Sequence, residues 1–164
     1  MAHYNHFAYG LDLVDKMKIF EVKKAVSFLK ATNSDSLGAI SNRLSSIDYP
    51  VLVGIDGKDA DFRDNGSEAL LKKPQYFFML LKPAVSDNEE DVLAVQEEME
   101  ANALQIQAKL MIESENNVNG LTGLVVDSFT IRGIGPIGDC LYGVIMGYNV
   151  EYGIGTKIKP AYWV

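Results

Sequence analysis

Near the end of the chain, apolar and polar positions alternate with a period of two through two runs, residues 124–132 and 141–152, on either side of the bend GIGPIGD. In the second run Tyr142, Val144, Met146, Tyr148, Val150 and Tyr152 line one face, opposite the smaller or more polar Leu141, Gly143, Ile145, Gly147, Asn149 and Glu151. In the first run Val125, Phe129 and Ile131 share a face broken only by Asp127. Successive side chains of a strand point to opposite faces, so the pattern predicts a long antiparallel hairpin with one heavily apolar side.

Elsewhere the period lengthens to that of a helix. Over residues 13–30, Leu13, Met17 and Phe20 fall on one stripe, Val14, Ile19, Val22, Ala25, Val26 and Leu29 broaden it, and lysines supply much of the solvated face. The cluster ATNSDS ends that helix, because such side chains bond their own backbone, and a short helical turn is expected at 37–44. The longest helix is expected over residues 88–114, with Ser86 or Asp87 as its N-cap and Glu89, Glu90 and Asp91 at the positive end of the helix dipole. Its apolar stripe runs Val92, Val95, Met99, Ala103, Ile106 and Leu110, broadened by Leu93, Leu104 and Met111. This helix is expected to lie across the sheet.

Two shorter strands complete the plan. Residues 49–55 read as one, with Pro50 at its start where a missing N–H does least harm. QYFFMLLK at residues 75–82 is apolar on both faces, so both sides need covering. Helices of the same domain cover one side, and a neighbouring subunit is expected to cover the other. Residues 56–74 are polar and weakly periodic, which predicts a solvated or interface loop insertion. The aromatic arm at residues 1–12 docks either on its own domain or on a neighbour; the tail at 153–164, with Tyr162 and Trp163, either folds back or anchors a partner. The expectation is one α+β domain spanning residues 1–164: an antiparallel sheet with a long C-terminal hairpin, packed by an N-terminal helix and one long central helix.

Composition narrows the function more by exclusion than by assignment. The net charge of −7 argues against a general nucleic-acid-binding surface, which needs a basic stripe, although an acidic wall suits a conduit through which DNA slides. Cys140 is the only cysteine, so no intrachain disulfide forms; its place beside Leu141 predicts a buried structural thiol. The N-terminal stretch has no basic region before an apolar core, and no apolar run reaches the about 20 residues of a membrane span. Neither a secretory signal nor a membrane helix is expected, and folding in a reducing cytoplasm is.

No catalytic constellation stands out. The two histidines, His3 and His6, sit in the terminal arm, away from any evident nucleophile and acid. Asp56, Asp59, Asp61 and Asp64 suggest a calcium loop, but counting from Asp56 puts Lys58 at the third position and Ser67 at the twelfth, where acidic ligands belong. The glycines of GIGPIGD lead into a strand rather than a helix, so they predict a bend and not a phosphate cradle. Neither a metal nor a cofactor is expected.

The order of these segments resembles the tail-terminator (tail-completion) proteins of tailed bacteriophages, within the wider head–tail connector group. The resemblance covers residues 13–152 and lies in plan and spacing: the first helix, then YPVLVGID, the loop DGKDADFRDNGSEALLKK, the strand QYFFMLLKP, the acid-started helix EEDVLAVQEEMEANALQIQAKL and a closing hairpin ending VIMGYNVEY. The aromatic N-terminal arm and the GIGPIGD bend have no counterpart in that plan. The resemblance implies a non-enzymatic virion protein, a homo-oligomeric ring, usually sixfold, assembled in the host cytoplasm. Such a ring seats on the last ring of the tail-tube protein, stops tube growth and presents a surface to head-connector proteins, while DNA passes through the lumen without specific binding. Tyr76, Phe77, Phe78, Met79, Leu81, Tyr142, Tyr148, Tyr152 and Trp163 are then the candidates for subunit contacts, and Asp56, Lys58, Asp59, Asp61 and Asp64 for a lumen-facing loop. The competing readings are a small cytoplasmic ligand-binding α+β module and an uncharacterised enzyme.

Overall fold

The computed structural model describes residues 3–20, 27–32, 47, 49–56, 58–64, 66, 70–155 and 161. Among these the elements run α1 (His6–Lys16), a 3-10 turn (Lys18–Phe20), β1 (Phe28–Ala31), β2 (Val51–Ile55), β3 (Ala60–Asp64), β4 (Leu70–Pro83), α2 (Glu89–Glu115), β5 (Leu124–Ile137), β6 (Leu141–Val150) and β7 (Tyr152–Ile154). The fold is α+β. Its main sheet has the order β1-β2-β4-β6-β5, while β3 and β7 flank the first half of β4. The turn expected at 37–44, and Trp163, lie outside the described residues.

The N-terminal third departs most from expectation. Asn5 caps α1 by accepting the Ala8 N–H at 3.0 Å, so the helix begins inside the supposed arm. It ends at Lys16, where Met17 turns extended while donating its N–H to the Leu13 carbonyl. Residues 21–26 of the expected helix lie outside the described residues; in β1, Leu29 and Ala31 serve a different period, pointing together into a core while Lys30 faces out. β1 pairs with β2 in parallel, which makes the sheet mixed rather than wholly antiparallel; the other strand pairs are antiparallel.

β4 is the axis of the molecule. Its second half pairs with β2 and β6, and its first half pairs with β3 and β7 instead. The exchange falls at Pro74, which has no N–H to offer a ladder; the next donor, Gln75 N–H, bonds the Asp59 carbonyl at 3.1 Å. The supposed loop at 56–74 therefore contains a hairpin, β3–β4, which extends the sheet as a three-stranded arm with β7.

Two apolar cores lie on the two faces of the sheet. On one face, α1 and α2 cover Tyr76, Phe78 and Leu80 of β4 and Tyr142, Val144, Met146, Tyr148 and Val150 of β6. Those five β6 residues are the apolar face the alternation predicts, and Val95, Met99, Ala103, Ile106 and Leu110 are the buried stripe of α2. On the other face Val51, Val53, Met79, Leu81 and Leu141 form a second core, with Ile47, Tyr49, Ile134 and Ile137 packed against it. Ile134 of β5 lies on this face opposite Gly143, and the register slip between Ile134 and Ile137 at the Gly/Pro bend brings Ile137, opposite Leu141, onto it as well. A second slip, between Val125 and Thr130, leaves a gap in the ladder that a side chain fills: the Asn149 N–H donates to Ser128 Oγ at 2.8 Å, and that hydroxyl donates to the Val125 carbonyl at 2.6 Å.

Candidate interaction surfaces

The residues singled out for subunit contacts are largely interior to their own protomer. Phe78, Met79, Leu81 and Tyr148 are at most 1% exposed, and Tyr76 and Tyr142 are buried as well. Met79 and Leu81 are covered by the second core of the same chain, so that part of β4 does not require a neighbour. Phe77 is half-buried; Tyr152 is half-buried in β7, its ring 5.0 Å from that of the exposed His3. The charged candidates also separate. Asp56 is buried and pairs with the Lys58 side chain, while Asp59, Asp61 and Asp64 are exposed, the last two on β3. Asp61 stands opposite Lys73, and Asp64 accepts the Gly66 N–H at 2.8 Å, a turn-closing bond.

His6 is pinned inside rather than carried on a free arm. Its Nε2–H donates to the Phe77 carbonyl at 2.8 Å, which leaves Nδ1 to accept from the Tyr148 hydroxyl at 3.1 Å or the Tyr4 hydroxyl at 3.3 Å. The two tyrosine hydroxyls also contact one another. Burial lowers the imidazole to about 4, and burial raises both phenols well above their ordinary value. A neutral histidine and two neutral phenols at the α1–sheet junction hold the helix down without burying a charge. Nearby, a cleft of about 450 Å³ between α1 and the C-terminal end of α2 is lined by His3, Tyr9, Asp12, Lys16, Glu113 and Asn119. Its charges are matched from within: Lys16 pairs with Asp12 at 2.6 Å and Lys109 with Glu113. Cys140, expected to be buried, is exposed in the turn between β5 and β6.

The apolar surface left open lies elsewhere. Leu93, Leu104 and Ile112 of α2 are 56%, 48% and 58% exposed. With exposed Ala101 and Ala108 they lie on the side of α2 roughly half a helical turn away from the buried stripe, a side they share with the exposed Glu90, Glu97 and Glu115. Their spacing is helical, and the sequence reading assigned Leu93 and Leu104 to the buried side; the signal missed was that they fall opposite Met99 and Ile106. Glu97 lies within this side, two turns before Leu104, and Glu100 at its edge; neither has a basic partner among the described residues, whereas Glu98 pairs with Lys82 at 2.7 Å.

On the far side of the molecule, the second core does not extend to the end of the sheet nearest the arm. There a depression of about 340 Å³ is lined by Gln75, Phe77, Thr130, Arg132, Ile145 and Gly147. The register explains it: Phe77, Gly147 and Thr130 stand side by side on β4, β6 and β5. The absent side chain at Gly147 lets the Phe77 ring lie across it, since a Cβ there would sit 2.8 Å from that ring. Arg132, next to Ile145 in the register, has no acidic partner among the described residues.

No family model, curated protein or solved structure matches the chain. Among the described residues no three His, Cys, Asp or Glu side chains stand close enough to hold a metal ion, and no helix is long and apolar enough to cross a membrane.

Proposed function

We propose that this chain is a structural subunit that assembles with copies of itself into a ring at the head–tail junction of a tailed bacteriophage. In this reading the ring ends the tail tube, joins it to the head connector and leaves a channel for DNA. The observation that carries it is the outer side of α2, where Leu93, Leu104 and Ile112 stay about half exposed among glutamates on a helix whose opposite side is already full. Large apolar side chains left exposed on one side of a helix and rimmed by charge are the kind of surface that a partner covers. The doubly apolar β4 no longer contributes at Met79 and Leu81, which their own chain encloses. The phage assignment itself rests on the order and spacing of the strand at 51–55, β4, α2 and the closing hairpin; the helix over 13–30 and the loop at 56–74 no longer support it, since α1 ends at Lys16 and β3 lies in that loop. The exposed Asp59, Asp61 and Asp64 suit a channel wall that repels the phosphate backbone.

Light scattering on the purified protein, with negative-stain imaging in the presence and absence of tube protein, tests this. Closed rings, alone or seated at tube ends, are expected. Monomers at micromolar concentration under both conditions would overturn the reading.

A further inference from the structure

The outer surface of α2 and the depression on the sheet lie on opposite sides of the molecule, since α2 packs on the face that carries Tyr148 while Phe77 and Ile145 belong to the other. We infer that the two are halves of one contact: Leu104 of one copy seats in the depression floored by Phe77, Ile145 and Gly147 of the next, and Arg132 there meets Glu97 and Glu100 of the incoming helix. The inference rests on the self-assembly reading above and names its surfaces.

Three features favour a second copy as the occupant. The first is charge. Arg132 lacks an acidic partner and Glu97 and Glu100 lack basic ones among the described residues, so the unmatched charges on the two surfaces are of opposite sign. Net charge of −7 would otherwise hold copies apart, so an attractive pair must be placed where they meet. The second is shape. Leu104 stands as a knob between Ala101 and Ala108, which let the helix approach closely, and the depression is a shallow hole between strands. The third is architecture. Joining the outside of one helix layer to the outside of the next sheet layer repeats the helix-on-sheet packing inside each protomer. Because the two surfaces differ and face opposite ways, the contact runs head to tail; such contacts close into a ring where the rotation between copies allows it and otherwise continue as an open filament. Pairing α2 with α2 about a twofold axis would instead set two glutamate-bearing surfaces against each other, with no basic group to meet Glu97 and Glu100.

Cysteine pairing tests the geometry at positions whose exposure spares the fold. In a Cys140→Ser background, the single variants Leu104→Cys and Thr130→Cys are mixed and mildly oxidised. The inference expects a disulfide between the two variants and little within either alone. In parallel, Arg132→Glu should weaken self-association at least about tenfold, and adding Glu97→Arg and Glu100→Arg in the same chain should recover most of it. Closed rings without the mixed disulfide overturn this contact and leave the ring reading standing. A mixed disulfide in open chains or dimers supports the contact and removes the ring. Disulfide formation by Leu104→Cys alone, or monomers without any disulfide, overturns the contact.

Discussion

At the residue scale, His6 carries the clearest consequence. Its folded-state value of about 4 lies below the ordinary one, so the unfolded chain takes up a proton before the folded chain does as pH falls. The stability tied to neutral His6 is complete above the unfolded value of about 6.5 and is lost on the way down to about 4. Between about pH 7 and about pH 5 this group alone should remove about 2 kcal/mol, and His6→Gln should flatten that part of the curve, as read by urea denaturation at the two pH values. Nothing in residues 1–12 announced this role. An aromatic terminal stretch has the same composition whether it hangs free or packs, and the partners of His6, Tyr148 and the Phe77 carbonyl, are more than 70 residues away.

At the element scale, legibility followed how much each segment depends on distant partners. β6 and α2 could be read because their periodicity persists over 10 and 27 residues and meets one continuous core. β1 could not, since its four residues become a strand only by pairing with β2. β3 is largely exposed and polar, ADFRD, and exists because β4 extends past Pro74 to pair with it. The N-cap of α2 was misplaced by one or two positions. Asn88 holds the Glu90 and Asp91 N–H groups at 3.1 and 3.2 Å, whereas Ser86 donates its hydroxyl to the Asp139 carbonyl. Asn88→Ala should therefore cost about 1 kcal/mol, and Ser86→Ala clearly less, by thermal or chemical denaturation. Between β4 and β6 the backbones leave no room for a side chain at Gly143, where a Cβ would meet the Leu80 carbonyl oxygen at 1.8 Å. Gly143→Ala should destabilise by about 3 kcal/mol, visible as a lowered melting temperature.

At the scale of the whole molecule, the doubly apolar strand was expected to need a neighbour, and at Met79 and Leu81 its own chain covers it instead. The sequence could not reveal that Ile134 and Ile137 return across the back of β4, because that return depends on two register slips in β5. The large apolar residues left exposed on α2 are Leu93, Leu104 and Ile112, on its outer side, and periodicity merges the first two with the inner stripe. Leu104→Asp separates the two roles. It should leave the melting temperature within about a degree of the parent, as exposed substitutions generally do, while lowering the mass seen by light scattering to that of a monomer.

Cys140, the sole sulfhydryl in the sequence, stands on the surface at the tip of the β5–β6 turn. Each copy thus offers a single maleimide-reactive handle, remote in sequence from Leu104. A fluorophore attached there bleaches in one step per subunit, so the number of steps in an individual particle reads its stoichiometry directly.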